Sequence, residues 1–207
     1  AFDTFDPESA AASGVVLDNS PASFNGSTIR DNKGWGIEAL AQTAFMAIDT
    51  LVASNGLGGL SLTRSVAALL DDTSIAQNRG VGVSLAERSA LLVIGSTIAD
   101  NLKSGLAIRA SAASLRNATV SGNDEHGIAL FEQSVLSLAL STLSGQSLDG
   151  LHLETSIASV RENTISGNLG FGVFADSASL VAGYGNQLEG NGTSRSENVP
   201  EGLTGPR

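Results

Sequence analysis

Asn163-Thr164-Ile165-Ser166-Gly167-Asn168-Leu169-Gly170-Phe171-Gly172-Val173 is one copy of a pattern that recurs along the chain. It holds a hydroxyl–aliphatic pair (Thr164-Ile165), then an amide (Asn168), then a glycine followed by a second aliphatic (Gly172-Val173). Moving outward, the glycine–aliphatic pair is found at Gly14, Gly36, Gly59, Gly82, Gly105, Gly127 and Gly150, in steps of 22 or 23 residues. The hydroxyl–aliphatic pair reads as Thr28-Ile29, Thr50-Leu51, Ser74-Ile75, Thr97-Ile98, Thr119-Val120 and Thr142-Leu143, with Gln187-Leu188 after it. The amide position reads as Asn32, Ser54, Asn78, Asn101, Asn123, Gln146 and Asn191. Three registers of one period mean a stacked repeat.

Each unit carries three short stretches of alternating apolarity. One surrounds the hydroxyl–aliphatic pair and one follows the glycine, as in Gly105-Leu106-Ala107-Ile108; the third follows a serine, as in Ser134-Val135-Leu136-Ser137-Leu138. Alternation with period two, in segments too short for helices, predicts half-buried strands. Three strands and three turns per unit make one coil of a parallel β-helix. About eight coils of 22–24 residues, stacked about 4.8 Å apart, give an all-β rod of roughly 40 Å. The spacing does not fit a leucine-rich repeat, which needs its own leucine frame and a helical or extended return. Ile29, Leu51, Ile75, Ile98, Val120, Leu143, Ile165 and Leu188 are expected to stack inward, with the amides laddered at a corner. The glycines are expected to supply positive φ at the bend. Gly183-Tyr184-Gly185 suggests a longer turn.

The units Ser27-Thr28-Ile29-Arg30-Asp31-Asn32-Lys33-Gly34-Trp35-Gly36-Ile37 and 163–173 resemble the parallel β-helix repeats of the pectate-lyase-like superfamily. The resemblance covers roughly residues 13–191. It implies a right-handed coil and carbohydrate-related or cell-surface work. Enzymes of that superfamily carry motifs that this chain largely lacks. Of the polygalacturonase-like set there is an Asp-Asp, Asp71-Asp72, but neither Gly-His-Gly nor Arg-Ile-Lys. The Tyr-Gly-Phe-Asp-Pro-His signature of alginate epimerases is absent, and no calcium-binding acidic cluster of the pectate-lyase kind stands out.

Composition narrows the function classes. A net charge of −10 opposes binding to nucleic acid or an anionic membrane surface, and the absence of cysteine excludes a thiolate metal site or a cysteine nucleophile. The apolar run Ala90–Ile94 is far short of the about 20 residues a spanning helix needs. Residues 1–12, with Phe2 and Phe5, read as a lead-in or the remnant of a preceding coil, 13–191 as the β-helix and 192–207 as a tail anchored by Val199 and Leu203. An uncapped first coil would expose strand edges, so the chain is expected to be part of a longer solenoid or assembly.

Stacking the units brings chemistry together. The residue before each bend glycine forms the column Trp35, Gly58, Val81, Ser104, His126, Asp149, Phe171, which sets His126 beside Asp149 one coil away. Two outward columns lie next to it: Glu38, Ser61, Ser84, Ala107, Ala129, His152, Phe174 and Leu40, Thr63, Ala86, Arg109, Phe131, Glu154, Asp176. Arg109, Asp124, His126, Phe131, Asp149, His152 and Phe174 therefore define a candidate ligand-binding edge. Histidine beside carboxylate suits acid–base work, and exposed rings suit sugars. No catalytic residue, metal or cofactor is assigned. The expected function is a non-catalytic secreted or cell-surface β-helix, structural, adhesin-like or carbohydrate-binding, with a polysaccharide or cell-surface component as partner. The alternative is a lyase or epimerase acting on a uronate-containing glycan, with a histidine as base and Arg109 neutralising the carboxylate.

Overall fold

The computed structural model describes residues 12–205. Phe2 and Phe5, and with them nearly all of the lead-in, lie outside the described residues. Among the described residues, twenty-five short strands form three parallel sheets of nine, eight and eight strands, and each strand pairs with its counterpart one unit away. The first sheet runs from Val15–Asp18 to Thr193–Arg195, the second from Ala22–Asn25 to Leu180–Tyr184, and the third from Thr28–Arg30 to Gln187–Glu189. This is an all-β parallel solenoid of about eight turns. Its inward side chains, among them Leu60, Ile75, Ile98, Leu106, Ile128 and Leu143, have no solvent exposure. Each such side chain contributes about 1.5–3 kcal/mol by leaving water. At the C-terminal end Val199 and Leu203 are buried, Leu203 on the short 3-10 helix Glu201–Thr204. The carbonyl of Leu203 accepts the Asn186 Nδ2–H at 2.9 Å.

The corner before the first sheet holds the amides. Nδ2–H of Asn32, Asn55, Asn78, Asn101 and Asn123 each donates to the side-chain oxygen of the next amide at 2.9–3.0 Å. The same oxygen takes the backbone N–H of the residue one coil behind, as Asn101 Oδ1 does from Asn78 at 3.1 Å. The ladder skips one amide–amide bond at Gln146, whose longer side chain turns Nε2 to the carbonyls of Val120 and Ser144. A second corner repeats the device with hydroxyls: the N–H groups of Val66, Ser89, Ser111, Ser134 and Ser156 donate to Ser89, Ser111, Ser134, Ser156 and Ser179 Oγ. Among the described residues no buried side-chain nitrogen or oxygen lacks a partner.

Three local expectations need correction. In the second unit Ile29 pairs with Val52, not Leu51, and Asn55, not Ser54, holds the ladder. A serine there could not both accept from Asn32 and donate an amide N–H to Asn78, so the chain keeps a step of 23 at this point. The bend glycines are not needed for positive φ. A Cβ on Gly82 would lie 2.6 Å from the Gly105 carbonyl and 2.8 Å from both Asn101 Nδ2 and Ile98 Cγ2. Lack of room selects glycine there, and positive φ falls instead on the residue before each amide, such as Asp100 (55°) or Gly122 (63°). Finally, Gly183 and Tyr184 continue a strand, paired with Val160 and Arg161, and there is no longer turn.

The ladder makes a graded prediction for urea unfolding. Asn101→Ala strands the buried donors of Asn78 and should cost about 2–4 kcal/mol, and Gly82→Ala should cost at least as much as ordinary overpacking, about 1–3 kcal/mol. Exposed Thr119→Ala should stay within about 0.5 kcal/mol. Equal costs at the three positions would contradict the register described.

Candidate functional site

The outer face of the first sheet changes character along the rod. Its middle is paved with small residues, Ser61, Ser84, Ala107 and Ala129, in direct register with one another and then with His152 and Phe174. His126 precedes the strand Ile128–Phe131, Asp149 occupies the same position one coil on, and His152 lies in the strand Leu151–Leu153. Ala129, in direct register with His152, is only 1% exposed.

Asp149 is the hub. Its Oδ1 accepts the backbone N–H of Phe171 at 2.7 Å, and its Oδ2 lies 2.7 Å from His152 Nδ1. The other ring nitrogen of His152 is 3.2 Å from Glu154 Oε1. His126 Nδ1 is 3.3 Å from both the amide nitrogen and Oδ2 of Asp149. The amide N–H points at it with hydrogen-bond geometry, and Oδ2 is already engaged by His152, so we assign His126 Nδ1 as an acceptor. The side chains of His126, Asp149 and His152 keep 18%, 10% and 14% exposure.

Rings close the cluster. The imidazoles of His126 and His152 have centroids 4.3 Å apart, and Phe174 stacks on His152 at 4.6 Å and 13°. Phe171 reaches Phe174 at 5.5 Å, and Phe131 reaches His152 at 6.1 Å. Arg109 places its guanidinium 4.4 Å over Phe131 and pairs with Glu132 at 3.2 Å. Stacking in register thus covers one face each of Phe131 and Phe174 with protein.

Burial favours the neutral acid at Asp149, but the bond from His152, the Phe171 N–H and, whenever that ring is protonated, the imidazolium of His126 outweigh it and hold the carboxyl well below the usual range. For His152 burial works against the charged ring, while the bonds to Asp149 and Glu154 and their charges outweigh it and raise its pKa. His152 thus has a carboxylate at each ring nitrogen, and both favour its charged form.

Six of the seven candidate residues, Arg109, His126, Phe131, Asp149, His152 and Phe174, join one connected network. Asp124 sits exposed on the turn beside it, and none of its hydrogen bonds or ion pairs reaches the cluster. Glu125, on the same turn, pairs instead with Lys103 and Ser104. Glu154 and Phe171 complete the network without being among the candidates. Period two was the available signal for Glu154, which lies two residues beyond His152 on the same side of the chain.

A sequence model described as a right handed beta helix region matches residues 13–138 and 104–199. The chain belongs to the right-handed β-helix family. No curated protein sequence matches it. Among solved structures, the periplasmic alginate epimerase AlgG is similar with a TM-score of 0.78 at 19% identity, over 86% of this chain and 47% of that one. The A-module of the Azotobacter vinelandii mannuronan C-5 epimerase AlgE4 gives 0.63 at 14% identity, over 89% and 64%. Pectate lyase Pel9A gives 0.50 at 14% identity, over 86% and 64%. At under 20% identity, these likenesses speak for the fold alone. The chain spans about half the length of AlgG.

Asp149 and His152, shifted in opposite directions, predict opposite pH limbs for the stability of this β-helix. Asp149, lowered on folding, stabilises above its unfolded pKa of about 3.9, and that contribution fades as pH falls further. His152, raised on folding, contributes fully below about pH 6.5 and loses that contribution as pH rises through its folded pKa. In EDTA-containing buffer the wild-type urea midpoint should therefore decline above about pH 6.5. His152→Gln should flatten that limb. A wild-type decline that persists in His152→Gln would assign it to another group.

Proposed function

We propose that this β-helix is a non-catalytic carbohydrate-binding segment of a secreted or cell-surface protein. It holds a neutral or weakly acidic glycan against the first sheet at the Arg109, His126, Asp149, His152 and Phe174 cluster. One observation supports a binding role over chemistry: neither imidazole offers a free lone pair. His152 has a carboxylate at each nitrogen. His126 accepts the Asp149 N–H at Nδ1, so its neutral form carries the proton on Nε2 and can offer it only as a donor. A general base must be able to take a proton from substrate within hydrogen-bond reach. These groups are instead suited to sugar hydroxyls: a ring N–H donor, carboxylate acceptors and the planar Arg109 fork. The net charge of −10 disfavours a strongly anionic polymer. No helix among the described residues is long and apolar enough to cross a membrane.

A lyase or epimerase is the second reading, favoured by two epimerases and a lyase among the similar structures. It requires His126 to turn its proton onto Nδ1, toward Asp149, and free Nε2 to abstract a proton next to a uronate carboxylate.

A glycan-binding screen of the wild type beside a His126→Ala, His152→Ala, Phe131→Ala triple variant separates these readings, once circular dichroism has shown both to be folded. The expected result is binding by the wild type, weakened at least tenfold in the variant, with no turnover. Binding that survives intact in the variant removes this face from consideration. Solvent deuterium appearing beside the carboxylate of a uronate polymer would establish the enzymatic reading.

A further inference from the structure

We propose that His126, Asp149 and His152 form a site for one borderline transition-metal dication, of the Zn2+, Ni2+ or Co2+ kind. The proposal stands apart from the glycan reading and needs no glycan to be tested. The ligand atoms of the three side chains all lie within 4.8 Å of one another. A tetrahedral ion with bonds of about 2.0–2.2 Å sets its ligand atoms about 3.3 Å apart. The separation of His126 Nδ1 from Asp149 Oδ2 is already 3.3 Å, and that of His152 Nδ1 from the same oxygen is 2.7 Å. To admit the ion the second pair opens by about 0.6 Å, and the two histidine nitrogens, within 4.8 Å of each other, draw together toward the same spacing of about 3.3 Å. In doing so the ion replaces the proton that His152 Nδ1 shares with Asp149, and that proton leaves to solvent.

The surroundings orient each donor. Glu154 holds Nε2 of His152, which leaves Nδ1 as its ligating nitrogen; a carboxylate behind a metal-bound histidine is a familiar supporting contact. The Phe171 N–H occupies Oδ1 of Asp149 and leaves Oδ2 to the ion. Stacking on Phe174 fixes the plane of the His152 ring. His126 must give up the 3.3 Å bond from the Asp149 amide, the longest of these contacts. Two imidazoles and one carboxylate match borderline metals and disfavour Ca2+ and Mg2+, which take oxygen ligands. Three protein ligands on a partly exposed face leave the fourth position for water or a ligand.

The test uses untagged, chelator-stripped protein and the metal ions alone. Calorimetric titration should show one equivalent of Zn2+ or Ni2+ bound at micromolar or tighter affinity, and Ca2+ should not compete at millimolar concentration. Co2+ should develop the intense visible bands of tetrahedral coordination, a signature that an adventitious carboxylate site does not give. His126→Ala and His152→Ala should each weaken Zn2+ binding at least tenfold. Glu154→Gln should weaken it while keeping the Co2+ bands, so the readout does not hinge on a variant that fails to fold. No binding of Zn2+, Ni2+ or Co2+ below millimolar, or binding unchanged in the His126→Ala, His152→Ala double variant, overturns the proposal.

Discussion

Along one corner of the rod, the amide of each coil, except at Gln146, hands its N–H to the side-chain oxygen of the next. That oxygen also receives the backbone N–H of the amide residue behind it, as Asn78 does to Asn101. A parallel sheet by itself tolerates slippage, because backbone ladders look alike at every register. A buried amide does not, since a slip of one residue would leave its donors and acceptor without partners at a cost of about 1–3 kcal/mol each. Repeated along the coils, this constraint fixes which residue stands above which. Its steric demands also explain the glycines: with Asn101 and the Gly105 carbonyl packed against position 82, no side chain fits there.

Fixed register is also what creates the candidate site. His126 and Asp149 are 23 residues apart in sequence, yet they meet because each precedes the bend glycine of its own coil. The small residues of neighbouring coils leave the first sheet flat until the cluster begins. Within it, opposite charges are paired locally: Asp149 and Glu154 clasp His152, and Glu132 faces Arg109. Such a face can order a polar ligand without needing a strong field. It can also exchange a shared proton for a metal ion without dismantling the fold, because the supporting contacts come from backbone and neighbouring coils.

Most of this architecture is legible in the sequence because a stacked repeat turns sequence spacing directly into spatial adjacency. The columns containing His126, Asp149, His152 and Phe174 follow from counting residues. The errors arise where two residues satisfy the same pattern. Thr50-Leu51 imitates the hydroxyl–aliphatic pair, and only the equal spacing of Asn55 from Asn32 and Asn78 reveals that Leu51-Val52 is the aligned pair. Glycine is ambiguous too, since it serves both positive φ and close approach, and spacing does not distinguish them. In the site, spacing gives columns but not side-chain direction. It does not show that His152 turns back to Asp149 and outward to Glu154, that Asp124 stays apart on its turn, or that rings stacked one coil apart cover each other's faces.

The account turns on which imidazole nitrogens carry protons, and long-range nitrogen–proton correlation spectra of the two histidine rings, followed through their titration, read this directly. The two carboxylates at its ring nitrogens predict that His152 keeps protons on both to a higher pH than an unperturbed histidine would. It also predicts that neutral His126 carries its proton on Nε2, with Nδ1 bare toward the Asp149 amide. A neutral His126 with its proton on Nδ1 and a bare, ligand-facing Nε2 would contradict the binding-only account, because that form is a competent base.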